Sequence, residues 1–433
     1  MLAFDSEWMK LIALFLLHKE GIMNQIRWTF ISFDWNIPLF VVCLPLLLGT
    51  FNLHTFYIFR FKSQSMKRSF LIFAILGLLI ISCTEKENQN SVEMENTTGQ
   101  HFYVGTYTNG DSEGIYKYKL NTDGTLEQVG LVARTANPSF LAHNGEYLVA
   151  VNENEEGTIQ SFRMGDDSLH LVNTSMTGGA HPCFVTMNKQ GNVLVANYTG
   201  GNVGWLDLSS EGMLSKLKSV QQHKGSGPTD RQESAHAHST WFVGNSNAVI
   251  SVDLGTDELW LSKINSEAGK LEVHEEKVKM AAGAGPRHLA FHTDKWIYVL
   301  NELNGTITRI VPTEGGGYEV LESISTLPAD FDGFNKCADI HLSSNGKFLY
   351  ASNRGHDSIV IYEVAEDGAL KLLGFEPTKG ATPRNFTLSP NEDFLLVANK
   401  DANNIVSFKR DAASGGLEYV STVDAPAPVC LLF

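Results

Sequence analysis

The chain has 433 residues, of which 43% are apolar and only 19% charged, with 38 glycines. That composition can fill a large core and serve many tight turns. The net charge is −15, and the residues after Cys83 hold 26 Lys and Arg against 44 Asp and Glu, or −18. So acidic a body excludes a broad phosphate-neutralising surface, and no nucleic-acid partner is expected. A local basic pocket stays compatible with it.

Residues 1–65 are rich in Trp, Phe and Leu, and Pro38 and Pro45 interrupt an apolar run over 37–51. Translation is expected to start at Met66, leaving 1–65 as an extension with no assigned fold. A membrane helix there is the alternative. Met66-Lys67-Arg68 is a basic start, and Phe70 to Ile81 is an apolar segment too short to span a bilayer comfortably. It ends in Leu79-Ile80-Ile81-Ser82-Cys83, which resembles a bacterial lipobox. Residues 66–83 therefore read as a lipoprotein signal peptide, with Cys83 the lipid-attachment residue. The polar stretch 84–100 reads as a flexible tether. An exported lipoprotein is expected, on the periplasmic side of a bacterial membrane or at the cell surface, with the membrane its partner through Cys83.

From about His101 onward one pattern returns seven times: a β-branched strand ending in a small polar residue, a turn, and a second strand. The copies include FYVGTYTNGDSEGIYKY from Phe102, VLVANYTGGNVGWLDL from Val193 and FLLVANKDANNIVSF from Phe394. The markers Tyr107, Asn152, Asn197, Asp253, Asn301, Asn353 and Asn399 are separated by 45, 45, 56, 48, 52 and 46 residues. That is the length of a four-stranded propeller blade, roughly 40–50 residues. A further strand precedes the markers, as in HPCFVTMN and GPRHLAFHTD. The N-terminal copy lacks it, and the chain ends on one, Ala427 to Phe433. The expected fold is an all-β, seven-bladed β-propeller of four-stranded blades over 101–433. Its ring closes by pairing the C-terminal strand with the N-terminal blade, which removes the open edges.

Three cysteines of this region, Cys183, Cys337 and Cys430, are far apart, with no CxxC and no paired framework. They read as buried thiols. His236-x-His238 is the one spacing with a ligand-like look, and no metal or cofactor is expected.

In a propeller blade the start of strand one and the end of strand two meet around one mouth of the central channel. His238, Arg287 and Arg384 occupy one repeat slot there, and His288, Asp339 and Asn385 the next. Strand-two ends add Asn197, Asp253, Glu302 and Arg354, and His181 and His236 lie just before their strands. An Asn or Asp in such a place commonly caps a turn. Two arginines and a histidine in one slot point instead to a functional mouth, because buried charge is tolerated only when paired or used.

At these residues the sequence resembles the propeller-type lactonase family, which includes bacterial 6-phosphogluconolactonases and fungal carboxy-cis,cis-muconate lactonizing enzymes. The segments that carry the resemblance are GTYTNGDSEGIYKY, RQESAHAHST, GAGPRHLAFHTDKWIYVLNELNGTI, CADIHLSSNGKFLYASNRGHDSI and TPRNFTLSPNEDFLLVANK. The resemblance implies a catalytic set of His238, Arg287, Glu302 and Arg354, with His236 the alternative histidine. It also implies a small lactone as substrate, which the other polar residues of the mouth, His181, His236, His288, Asp339 and Arg384, are expected to help bind. Hydrolysis needs a base, either Glu302 or His238, and donors for the growing oxyanion, for which Arg287 and Arg354 are suited. A lactone-forming cycloisomerase and a non-catalytic propeller that binds a small ligand or a protein are the competing readings.

Overall fold

The computed structural model describes residues 99–292 and 295–433. The extension 1–65, the signal segment 66–83 with Cys83, and the tether up to residue 98 lie outside the described residues. The described chain forms seven antiparallel sheets of four strands each. It begins with β1 (Gln100–Thr106), β2 (Gly114–Leu120) and β3 (Leu126–Arg134). The second blade is β4 (Leu141–His143), β5 (Tyr147–Asn152), β6 (Thr158–Met164) and β7 (Leu169–Met176). The third is β8 (Pro182–Met187), β9 (Asn192–Asn197), β10 (Asn202–Asp207) and β11 (Ser219–Gln222). The fourth is β12 (Ala237–Phe242), β13 (Ala248–Asp253), β14 (Glu258–Asn265) and β15 (Lys270–Lys279). The fifth is β16 (Pro286–His292), β17 (Trp296–Asn301), β18 (Thr306–Pro312) and β19 (Tyr318–Ser325). The sixth is β20 (Lys336–Leu342), β21 (Phe348–Arg354), β22 (Ser358–Val364) and β23 (Leu370–Pro377). The seventh is β24 (Pro383–Leu388), β25 (Phe394–Asn399), β26 (Asn404–Arg410) and β27 (Leu417–Asp424).

The last strand, β28 (Pro428–Leu432), pairs with β1 and completes the first blade in the order β28-β1-β2-β3. Tyr103 faces Leu432, Val104 faces Leu431 and Gly105 faces Cys430 across the seam. The fold and its closure are those expected from the repeats. The N-terminal marker is displaced by one residue: β1 ends at Thr106, so Thr106 and not Tyr107 is the counterpart of Asn152 and Asn197.

Second strands are buried throughout, as in β5, β9, β17 and β25, because each is sandwiched between neighbouring blades. That is why the sequence shows apolar runs such as VLVAN there rather than strict alternation. Outer strands such as β15 expose most of their length. Seven buried clusters form among the described residues, one at each blade–blade interface. Phe102, Val104 and Leu431 of the first blade, for example, meet Leu396 and Ala398 of the seventh.

The recurring Asn at the end of strand two has a structural reason. Asn197 Nδ2 donates to the Thr177 carbonyl of the preceding blade at 3.2 Å and to Asn202 Oδ1 across its own hairpin at 2.8 Å. Asn399 repeats this with Thr378 and Asn404, and Asn353 reaches the Thr326 carbonyl at 2.7 Å. In these blades the amide staples the sheet to the one before it, whereas the Asn301 amide donates to Thr306 and Thr308 of its own blade. The turn that follows needs a left-handed residue, met by Gly157, Gly201, Asp257, Gly305, Asp357 and Asn403 at φ between 51° and 68°.

Candidate functional site

The slot shared by His238, Arg287 and Arg384 is a row of β-bulges. Strand pairing slips between Ala237 and Ser239, between Pro286 and His288, and between Pro383 and Asn385. Each slip skips one residue, namely His238, Arg287 or Arg384. The same slip skips Cys183 in β8, and a two-residue slip skips Ala338 and Asp339 in β20. In the first blade it skips Val429. A bulged residue leaves the ladder and its side chain is re-aimed. Repetition of one irregularity thus directs a ring of side chains toward one channel mouth.

Glu302, one residue beyond β17, is the hub. Its carboxylate is only 3% exposed. Oε2 lies 2.9 Å from Arg287 Nε, 3.0 Å from Arg354 Nη2 and 3.9 Å from His238 Nε2. The Arg287 contact is an ion pair without hydrogen-bond alignment. Arg287, itself 2% exposed, also donates to the Ala338 carbonyl. Arg354 donates to the Cys337 carbonyl at 2.8 Å. The four residues of the expected catalytic set therefore stand together.

Electrostatics separates their roles. Burial alone pushes the Glu302 carboxyl up, but Arg354, Arg287, Arg231 and Arg384 outweigh it and bring it down to about 2. Burial, with Arg354 and Arg384 nearby, lowers Arg287 to about 10, so it stays charged at neutral pH. Burial, reinforced by Arg287, His288 and Arg384, holds His238 well below the usual histidine range. Its imidazole is therefore neutral at working pH, and its surroundings oppose its protonation. The Cys183 thiol, 3.9 Å from His238 Nδ1, is pushed up mainly by burial and stays protonated, which argues against a nucleophile there.

A second polar knot supports the first. Asp339 Oδ1 accepts from His288 Nδ1 at 2.8 Å and from the Ile340 amide at 3.0 Å. Oδ2 takes Asn385 Nδ2, with His341 Nε2 at 3.2 Å. Burial would raise Asp339, but His341 and His288 outweigh it and lower its carboxyl. His288 is lowered to about 4 by burial and Arg287, against the pull of Asp339. His288 and Asp339 therefore brace the wall behind Arg287. A cavity of about 10 Å³ lies between Arg287 and His288 on one side and Ser139, Phe140, Cys183, Arg384, Asn385 and Val429 on the other, room for no more than a water.

Arg384 faces another sector of the mouth. Its Nη2 donates to Tyr107 Oη at 2.8 Å, and that hydroxyl donates to Glu153 Oε2 at 2.9 Å. Tyr107 also borders a polar cleft of about 410 Å³ with Asn109, Lys400 and Asp401. His236 stacks on Tyr198 at 4.4 Å and lies 3.2 Å from Glu233, beside the hub but not on it. His181 is at the edge, half-buried, with Nδ1 2.9 Å from Thr199 Oγ1. Asn197 and Asp253 do not face the mouth. Asn197 is a staple, and Asp253 is fully buried against His223 at 2.7 Å. Successive side chains of a strand point to opposite sides, so the mouth belongs to the residues one further on.

That rule exposes what the sequence reading missed. Glu153 and Tyr198 occupy the same place after strand two as Glu302, and moving the markers Asn152 and Asn197 by one residue finds them; Tyr107, itself a marker, already stands there. Arg231 was also missed. It lies in the segment 223–236 between β11 and β12, which has no counterpart in the repeat. Its Nη2 sits 2.8 Å from Tyr198 Oη and 3.7 Å from Glu302 Oε1.

The seven-bladed ring belongs to a known class. The chain belongs to the seven-bladed β-propeller lactonase family, whose description, "Lactonase, 7-bladed beta-propeller", matches residues 101–433. Among its relatives is the 6-phosphogluconolactonase of Bacillus subtilis (strain 168), 36% identical over 343 residues, covering 76% of this chain and 97% of that protein. The 6-phosphogluconolactonase of Formosa agariphila is also 36% identical, over 73% of this chain and 94% of its own. The periplasmic gluconolactonase of Pseudomonas aeruginosa has a solved structure that matches with a TM-score of 0.73 at 30% identity, covering 77% of this chain and 98% of its own.

Proposed function

We propose that the chain hydrolyses a small sugar-type lactone at this channel mouth, in the manner of a 6-phosphogluconolactonase. The observation that carries this reading is the buried His238–Arg287–Glu302–Arg354 group within a lactonase-family propeller. Its chemistry divides as follows. Arg287 and Arg354 supply positive charge and N–H donors where the lactone carbonyl oxygen becomes an oxyanion. His238 takes a proton from the attacking water, the oxyanion growing beside it offsetting the environment's penalty on the imidazolium. The water oxygen bonds to the carbonyl carbon, the ring C–O bond breaks, and the departing alkoxide takes the proton back. The hydroxy acid formed then ionises and releases one proton to solvent.

Glu302 is not the base in this scheme. Both its oxygens are occupied by Arg287, Arg354 and Arg231, which hold its carboxyl near 2 and leave it no free face for water. It holds the two guanidinium groups side by side and lowers the cost of burying them. Acid release from a panel of sugar lactones at constant pH tests the reading. The chain should accelerate it, and His238→Gln should slow it by about 10²–10⁴, the usual worth of a general base.

Export is proposed with it. The basic start, short apolar segment and Cys83 support a lipid-anchored protein outside the cytoplasm, and the relative from Pseudomonas aeruginosa is named periplasmic. In the native host, metabolic labelling with a fatty acid should mark the chain, and Cys83→Ser should abolish the label. An unlabelled wild-type chain would sink the anchor.

A further inference from the structure

The hub is over-supplied with positive charge. Three guanidinium groups, those of Arg287, Arg354 and Arg231, gather on the one carboxylate of Glu302, at 2.9, 3.0 and 3.7 Å. Arg287 and Arg354 take the short contacts and spend further donors on backbone carbonyls. Arg231 has the longest contact, and its side chain is 42% exposed, whereas that of Arg287 is 3% exposed. A guanidinium carries five N–H donors. Only Nη2 of Arg231 is engaged, by the Tyr198 hydroxyl and, at longer range, by Glu302. Its remaining donors are therefore presented at the solvent side of the mouth.

This arginine is held in place rather than left to wander. The segment that bears it, 223–236, is the longest link between one blade's outer strand and the next blade's inner strand among the described residues. It is pinned on both sides of Arg231. Before it, His223 lies 2.7 Å from Asp253 in a fully buried pair and stacks on Trp260 at 4.2 Å. After it, the fully buried Gln232 donates to the Leu254 carbonyl at 2.8 Å and to Asp257 Oδ1 at 2.7 Å. Asp257 in turn accepts the Gly285 amide at 2.7 Å, two residues before Arg287. The strap and the Arg287 strand thus share an anchor, which fixes Arg231 relative to the buried pair.

We infer that Arg231 is a specificity-determining residue that binds an anionic substituent, phosphate or carboxylate, on the solvent side of the bound lactone. This rests on the lactonase reading and adds a substrate class to it. An anion there neutralises the surplus charge, accepts the spare donors in a bidentate manner, and leaves Arg287 and Arg354 to the carbonyl. In a body carrying −18 after Cys83, such a local basic patch also draws an anion to the mouth.

The test uses the full chain, Arg231→Ala and Arg231→Lys with three probes: D-glucono-1,5-lactone, its 6-phosphate and its 6-carboxylate analogue. Arg231→Ala should raise KM for a charged lactone about tenfold or more, the worth of one charge-assisted hydrogen bond, with kcat little changed. On the neutral lactone its effect should be under about threefold by the same reasoning, and Arg231→Lys should restore part of the loss. A preference between the two charged probes identifies the anion. Equal losses on charged and neutral probes, or no loss on either, would overturn the inference. Calorimetric titration with 6-phosphogluconate separates the two claims, because it needs no turnover. Weaker binding by Arg231→Ala in a chain that opens no lactone would uphold the anion contact and overturn the lactonase reading. Equal binding by both chains would overturn the anion contact.

Discussion

Arg287→Ala should turn over lactone about 10²–10³ times more slowly than the wild-type chain, the usual worth of one oxyanion donor. The loss should fall on kcat more than on KM, because the contact strengthens as charge develops on the carbonyl oxygen. Arg287 is placed for this by its bulge, which takes it out of the β16–β17 ladder. Its charge is secured by Glu302 at 2.9 Å. The substitution also removes one of the cations that hold Glu302 ionised, so thermal unfolding must accompany the kinetics. A folded variant with wild-type kcat would remove Arg287 from the reaction. Arg384, in the same bulge row but bound to Tyr107 and Glu153, belongs to a different sector and should act mainly on KM.

Deleting Val429 to Phe433 should cost several kcal/mol and leave an aggregating protein. Val429, Cys430 and Leu431 are nearly fully buried in the closing strand. Each large apolar side chain so buried contributes about 1.5–3 kcal/mol. The Phe433 ring, 5.2 Å from that of Phe102, and the Tyr107–Ala427 backbone bond of 3.1 Å knit the same seam. Without β28 the inner edge of β1 is unpaired beside the channel, a template for association. Domains of this kind are held by only about 5–15 kcal/mol in total, so the deletion removes a large share. Thermal unfolding and size-exclusion chromatography read both effects. A truncated chain that stays monomeric with an unchanged Tm would refute closure as a source of stability.

The ring of seven blades was legible because its physical causes recur at fixed spacing. Asn197, Asn353 and Asn399 each staple one blade to its neighbour, and the repeated need for that staple is what makes the marker visible. The turn residues at Gly201, Asp357 and Asn403 recur for the same reason. The mouth was legible in part. Bulged inner strands keep His238, Arg287 and Arg384 in one slot, so alignment of the repeats found them before any geometry was known. The neighbouring slot was blurred: Asn197 and Asp253 were counted with Glu302, although alternation along a strand turns them to the other side. Tyr107 lines up with the markers in the sequence, yet in the fold it is the first residue past one. Arg231 opens the family-like segment RQESAHAHST, but a residue on an unrepeated strap has no register to place it, and only its distance to Glu302 shows where it goes.

Charge was the other thing the residues alone did not resolve. A carboxylate and a histidine side by side both look like a base on paper. Four nearby arginines bring the Glu302 carboxyl to about 2 and three of them occupy both its oxygens, while burial leaves His238 neutral with Nε2 turned to the hub. The division of labour between holder and base follows from that environment and not from residue type.

The most direct measurement is proton release from glucono-1,5-lactone and its 6-phosphate at constant pH, with the wild-type chain at catalytic concentration. The account predicts opening of at least one of them well above the buffer rate, with one proton released per ring opened and the rate lost in Arg287→Ala. Ligand binding with no acceleration over buffer for either lactone would contradict it, and would make the propeller a binding protein.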